Sequence, residues 1–273
     1  MVYPVASLSI SSDRIIYTAP SFTAKPTSRP AMVVLVGTRA AVRLVTESEC
    51  HMGRILLVAP NVRRSIEARD AGLYSIQLDP ASALCQYLLK QIMMGRQIVD
   101  LSSRASERVM RIAETALSNG QECEAVIAGS EQILNALFPE AARWQSTDAR
   151  VDAVASWLST HVPARSGLRR LAAMCDLSES RLAYVFASAT GNSMREYLLW
   201  VKMRKAAEMF AAGSTHTEIA HATGFADLSH LSRTFKRYFD LTPSFLRNPS
   251  FVCVRISKEL SGQPQCSLPA ALA

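Results

Sequence analysis

From Arg14 to Pro80 the apolar residues fall in short β-branched or alternating runs. "RIIYTA", "AMVVLVG", "AAVRLVTE", "RILLVAP" and "LYSIQLDP" are separated by Pro20, Pro26, Pro30, Gly53, Pro60, Asn61, Gly72 and Pro80. Such runs between turn residues predict strands, and their even spacing suits a small barrel or sandwich. After Pro80 the period changes to three-and-four. "ASALCQYLLKQIMMG", "SERVMRIAETALSNG" and "ECEAVIAGSEQILNALF" predict helices, the first two ending at Gly95 and Gly120, as helix C-termini often do. The stripe Val126, Ile133, Leu134 and Leu137 must be covered by something, and both an intrachain core and a helical dimer interface satisfy it.

From Asp148 onward the pattern is helical almost without interruption. "DARVDAVASWLSTHV" is followed by "SGLRRLAAMCDLSESRLAYVFASATGNS" and "MREYLLWVKMRKAAEMFAAGS". Ser193 with Glu196 fits a capping box, Gly213 marks the end of the long helix, and Thr215 with Glu218 fits a second box. The expected fold class is α+β. A β-barrel or sandwich followed by helices occupies 1–147, with strands to about 80 and helices over 81–138. An all-α domain occupies 148–247, and the polar tail 248–273 is expected to be disordered.

Within the helical region the same device occurs twice. "LAAMCDLSESRLAYVFASATGNS" and "IAHATGFADLSHLSRTFKRYFDLTP" each hold an alanine (Ala172, Ala220) where a second helix must approach closely. Each continues with a residue able to take a left-handed turn (Asp176, Gly224), an N-cap (Ser178, Asp227) and a helix carrying Leu182 and Phe186 or Leu231 and Phe235. That is helix-turn-helix grammar. A single match is weak, but Leu182 to Leu231 and Phe186 to Phe235 are both 49 residues apart, so the copies are in register. The helix between them, from Met194 to about Ala212, is roughly 28 Å long at ~1.5 Å per residue. Its flanking turns bring it near one turn of B-DNA, ~34 Å, so two recognition helices on this strut suit successive major grooves.

These residues resemble the AraC/XylS family of bacterial transcription regulators. The resemblance rests on "SESRLAYVFASATGNSMREYLLWVKMRKAAEMF" and above all on "EIAHATGFADLSHLSRTFKRYFDLTP", with its glycine-phenylalanine turn, R-x-F-K core and aromatic-x-x-T-P ending. It covers Asp148 to Arg247; over the first 147 residues it is a general likeness to family members with a small β-barrel followed by helices, used for effector binding or dimerisation. Helical geometry turns Leu231, Phe235 and Tyr238 to the core and leaves Ser229, His230, Ser232, Arg233, Lys236 and Arg237 for DNA. The resemblance implies that Ser229, His230, Ser232 and Arg233 lie near bases and that Lys236 meets phosphate. An arginine in the major groove can take guanine O6 and N7 bidentately. A surface ion pair of Arg233 with Asp227 or Asp240, and a solvated face at Lys236 and Arg237, are the competing readings. The first recognition helix offers Ser180, Arg181, Ala183 and Tyr184. Ala183 is limited to apolar contact, and Asp176 replaces the glycine usual at that turn.

Charge sharpens this picture. Met1 to Ala164 holds 16 Lys and Arg against 15 Asp and Glu, whereas Arg165 to Arg255 holds 13 against 7, so most of the net +7 sits with the helix-turn-helix units. A basic segment beside a near-neutral one points to an anionic partner for the basic segment alone, and the resemblance implies that this partner is double-stranded promoter DNA. The six cysteines include no CxxC pair, and the five histidines include no HxH, so neither a metal nor a cofactor is expected. No nucleophile elbow or phosphate-binding glycine loop is present, which argues against an enzyme. The N-terminus lacks a signal-peptide pattern and its longest apolar run, "AMVVLV", is far short of a membrane span, so a cytoplasmic protein is expected.

The first 147 residues admit two regulatory roles: sensing a small molecule, with or without self-association as a homodimer, or answering to a partner protein. An apolar cavity with a few convergent polar groups would favour the first and a filled barrel the second. Arg54, Arg63, Arg64 and Arg69 are either solvated or an anion site. RNA polymerase is a further partner if the protein is an activator.

Overall fold

The switch from alternating to three-and-four patterning near Pro80 marks the junction of sheet and helix in the computed structural model, which describes residues 6–118, 123–146, 148–161, 167–225, 227–239 and 252–256. Strands β1 (Ala6–Ile10), β2 (Arg14–Ala19), β4 (Met32–Gly37), β7 (Ile55–Val58), β9 (Leu73–Leu78), β10 (Ile98–Asp100) and β11 (Val252–Ile256) form one sheet in the order β10-β7-β4-β9-β2-β1-β11. Strands β3 (Phe22–Thr27), β5 (Val42–Val45), β6 (Cys50–Gly53) and β8 (Arg64–Ala68) form a second, in the order β3-β8-β5-β6. The domain is an open two-sheet sandwich, and neither sheet closes into a barrel.

Every residue of β4 is buried because the larger sheet is covered on both faces. One face meets the small sheet through Val33, Leu35, Leu56 and Leu73 against Val42, Leu44 and Ile66. The other meets helices α1 (Ala83–Tyr87), which continues as a π-helical turn over Leu88–Met93, α2 (Glu107–Ser118) and α3 (Cys123–Leu137). A strand buried on both sides reads as a continuous apolar run, which explains "MVVLVG". The stripe Val126, Ile133, Leu134 and Leu137 lies in this intrachain core. At the edge of the small sheet, β3 carries Pro26, and its register with β8 shifts between Ala24 and Thr27. Proline cannot donate to a ladder and is confined to edges and bulges.

The helical domain comprises α4 (Ala149–Thr160), α5 (Leu168–Met174), α6 (Glu179–Thr190), α7 (Met194–Ala211), α8 (His216–Thr223) and α9 (Leu228–Phe239). Its core is shared with the first domain: Leu8, Ile10 and Ile15 belong to the same cluster as Phe186, Trp200 and Phe235. The expectation of a disordered tail is corrected at Val252–Ile256, which pairs in parallel with β1 from Ala6↔Val252 to Ile10↔Ile256. A short segment after the helices has no periodic neighbour to announce it, and its strand is specified by the free edge of β1. Gly120 and the stretch holding Thr242 and Pro243 lie outside the described residues.

Candidate nucleic-acid interface

The two helix-turn-helix units are built by the same hydrogen bonds. In the first, the Leu177 amide donates to Ala172 O at 3.0 Å across Asp176, whose φ is +52°. In the second, the Phe225 amide donates to Ala220 O at 2.9 Å across Gly224, whose φ is +63°. These are the six-to-one bonds of a Schellman turn, with an apolar residue immediately past the left-handed position. The N-caps follow: Ser178 Oγ accepts from the Arg181 amide at 3.2 Å, and Asp227 Oδ1 from the His230 amide at 2.6 Å. Leu182, Phe186, Leu231, Phe235 and Tyr238 are buried. The strut α7 opens on the capping box of Ser193 with Glu196, and Thr215 with Glu218 caps α8 in the same way. The Thr215 amide and hydroxyl hold the Glu218 carboxyl below its usual range.

With both helices fixed by their apolar side, their other faces are open. On α9, Ser229, His230, Arg233 and Lys236 are exposed and Ser232 is half-buried. Arg233 remains available because the Asp227 carboxylate is turned to the helix terminus, where it takes the His230 amide. Asp240 and the side chain of Arg237 lie outside the described residues. The His230 ring packs edge-on against Phe225 at 5.2 Å between centroids, so this residue supports the turn as well as facing outward. On α6, Ser180, Arg181 and Tyr184 are exposed, Ala183 is half-buried, and the Arg181 guanidinium lies 5.5 Å from the Tyr184 ring centre. The first face is thus an arginine-tyrosine pair and the second a run of separate polar and basic groups.

Two features of this region carry no periodic signal in the sequence. Lys202 of α7 donates to Gly224 O at 3.2 Å and sits 5.6 Å from the Phe225 ring centre, pinning the second turn to the strut. Burial lowers the affinity of this amine for its proton. The other feature is the junction with the sheet domain. Asp79, at the end of β9, accepts from Trp200 Nε1 at 3.1 Å and lies 3.7 Å from Arg204, which also donates to Ser12 O. Burial raises the Asp79 carboxyl above its usual range, against the opposing pull of Arg204. At the other end of the strut, Asn192 donates to Pro30 O at 3.0 Å, and its side-chain oxygen accepts from Asn61 at 3.1 Å. Trp200 and Arg204 stand four residues apart on one face of α7, a pairing visible only once their partner is known.

The four arginines singled out in the strand region do not converge. Arg54 donates to Gly37 O and Thr38 O, Arg63 faces Glu47 at 3.6 Å on the surface, and Arg69 is exposed. Arg64 alone is buried, on the inner face of β8. A cleft of about 470 Å³ lies between the domains, lined among others by Glu47, Asn61, Arg63, Leu89, Arg96 and Gly191. Inside the sandwich the space beside Arg29 is only about 10 Å³. Among the described residues no helix is long and apolar enough to cross a membrane.

Residues 171–249 match the family model described as a helix-turn-helix domain. The chain is 31% identical over 103 residues to the HTH-type transcriptional activator RhaS of Klebsiella pneumoniae, covering 37% of each protein. It is 28% identical over 98 residues to the MmsAB operon regulatory protein of Pseudomonas aeruginosa, covering 32% of that protein. Against the multiple antibiotic resistance protein MarA of Salmonella typhimurium the identity is 27% over 101 residues, 36% of this chain and 80% of MarA. The match thus spans little more than a third of RhaS and less of the MmsAB regulator. In fold the chain is similar to ToxT from Vibrio cholerae, with a TM-score of 0.55 over 85% of this chain and 96% of ToxT at 12% identity. ToxT therefore shares the layout of sheet domain and helical domain. Two helix-turn-helix units in register, a capped strut between them and these similarities make residues 171–249 a helix-turn-helix domain similar to those of the AraC/XylS-type transcription regulators.

Proposed function

We propose that this chain is a sequence-specific promoter-binding regulator in which α6 and α9 enter successive major grooves, under control of the sheet domain through a ligand or self-association. The observation that carries the reading is the pair of identical Schellman-turned units with exposed polar faces, joined by an 18-residue strut of roughly 27 Å. Ser229, Ser232 and Arg233 read base edges, Lys236 and Arg237 hold phosphate, and Arg181 with Tyr184 and Ser180 forms the weaker second contact. His230 divides its role between base contact and the turn.

Ligand control is supported by the interdomain cleft and by the structural relatives. ToxT has been solved with an unsaturated fatty acid and with (E)-4-(8-methylnaphthalen-1-yl)but-3-enoic acid. Activation, with RNA polymerase as partner, is supported by RhaS being a transcriptional activator.

Selection of genomic DNA fragments by the purified protein at ~150 mM salt tests the reading, because non-specific phosphate binding is suppressed at that ionic strength. A small set of fragments with two half-motifs about one turn apart is expected, and Arg233→Ala loses it. If wild type and variant retain the same diffuse set, α9 is an electrostatic surface only.

A further inference from the structure

The two helix-turn-helix units share their turn hydrogen bonds but not what holds the turn from outside. In the second unit the ammonium of Lys202 donates to Gly224 O at 3.2 Å and stands 5.6 Å from the centre of the Phe225 ring. The same ring meets the edge of His230, the third residue of α9, at 5.2 Å. One lysine of the strut is thus joined through a carbonyl and a ring to the first turn of the second recognition helix. The register that sets Leu182 against Leu231 has no such residue in the first unit, because Ala153 of α4 stands 49 positions before Lys202 and is exposed. The first turn is built on Asp176 instead of glycine. Glycine gives the second turn more backbone freedom than aspartate gives the first, and Lys202 removes part of that freedom.

The rest of α9 explains why this matters. Its C-terminal half is fixed by aromatic packing, Phe235 against Phe210 at 5.3 Å and Tyr238 beside Trp200 at 6.3 Å between ring centres. Its N-terminal half borders a groove of about 590 Å³ lined among others by Arg195, Leu199, Lys202, Phe225, His230 and Thr234. Across that groove the direction of the helix depends on the turn before it. Lys202 is half-buried, unlike the exposed Lys236, and its printed contacts face the turn, a carbonyl and a π face being what an ammonium takes when no carboxylate is at hand. We infer that Lys202 is a positioning residue for DNA reading: by holding Gly224 O and the Phe225 ring it fixes the direction in which α9 leaves the turn, and so which base edges Ser229, His230 and Arg233 meet. Its consequence for DNA rests on the promoter-binding reading; the pin itself does not.

The test therefore begins without DNA. Amide hydrogen exchange is followed on the full chain, wild type against Lys202→Met, which keeps length and removes charge and donors, and Lys202→Arg, which keeps both. Three amides report the second unit, Phe225 bonded to Ala220 O, His230 to Asp227 Oδ1 and Leu231 to Asp227 O. Their counterparts Leu177, Arg181 and Leu182, bonded to Ala172 O, Ser178 Oγ and Ser178 O, report the first. Expected in Lys202→Met is exchange about tenfold faster at the first three, the weight of one hydrogen bond from a charged donor, with the counterparts unchanged and Lys202→Arg like wild type. No change at any of the six would overturn the inference, as would equal acceleration of both sets, the mark of a general loss of stability, or an arginine variant as fast as the methionine one.

Binding to a fragment selected by the wild type, and to a random fragment, is then titrated across salt. Lys202→Met should lose about fivefold or more on the selected fragment, the weight of one misplaced base contact, and little on the random one, with the salt dependence unchanged. A slope of log affinity against log salt that falls by about one would make Lys202 a phosphate contact and overturn the positioning role. A wild type that selects no discrete fragment sinks the promoter-binding reading, and the exchange rates still decide whether Lys202 holds the turn.

Discussion

The first helix-turn-helix unit turns on Asp176 and ends at a junction with the sheet domain; the second turns on Gly224, whose carbonyl takes Lys202 of the strut. Their backbones carry matching bonds at Ala172 and Ala220. What differs is the load on each. The end of α6 meets Leu89 and Pro60 across Gly191, and Asn192 reaches Asn61 and Pro30, while α9 presents Arg233 and Lys236 to solvent. A duplicated scaffold thus carries different loads, the first copy meeting the sheet domain and the second leaving its polar face to solvent.

The comparison breaks first at the core, if the scaffolds are not equivalent. Phe186→Ala and Phe235→Ala should each cost about 3–5 kcal/mol, and denaturant titration should find the two losses similar. Unequal losses would mean that one unit is merely draped on the other. Next comes the junction. Asp79→Ala removes the acceptor of Trp200 and leaves Arg204 buried without that carboxylate, a change worth roughly 3 kcal/mol or more. Asp79→Asn keeps an acceptor and should cost much less, so calorimetry of the pair separates a specific junction from generic packing. The difference in reading sharpens with Arg233→Ala and Arg181→Ala. Loss of a bidentate base contact corresponds to about 1–3 kcal/mol, or about 5- to 150-fold in affinity. That is the expectation for Arg233, whereas Arg181, lying against Tyr184, should lose less in the same binding titration. The smallest effect is at the turns. Asp176→Gly relieves a left-handed aspartate and should stabilise by at most about 1 kcal/mol, and Gly224→Ala should destabilise by a similar amount.

Much of this is legible in residue order because the helical domain obeys local rules. Capping boxes at Ser193 and Thr215, left-handed turns at Asp176 and Gly224, and the buried leucine-phenylalanine pairs are short-range patterns, and each has the expected geometry. In the sheet domain the five runs became β2, β4, β5, β7 and β9. The others escape for a physical reason. β3 is interrupted by Pro26, β6 is four residues without an apolar rhythm, and β11 depends on an edge almost 250 residues away. The exposed polar residues on α9 follow from its helical face, but Lys202, Asp79 and Asn192 act across the fold, and no spacing rule announces a partner 22, 121 or 162 positions distant. Arg64 is visible in the sequence as one of a group of arginines; its isolation from the other three is not.

The parallel pairing of β11 with β1 makes the helical domain an insertion: after β10 the chain lays α2 and α3 on the sheet, then builds α4 to α9, and returns to the same sheet's far edge. A body attached to a frame at two points moves differently from one on a single string. Its soft motion is rotation about the line through the attachments, and separation from the frame requires strand bonds to break. Any signal from the sheet domain would then reach the DNA as a change in tilt between the two recognition helices and the duplex, with the distance between domains nearly constant.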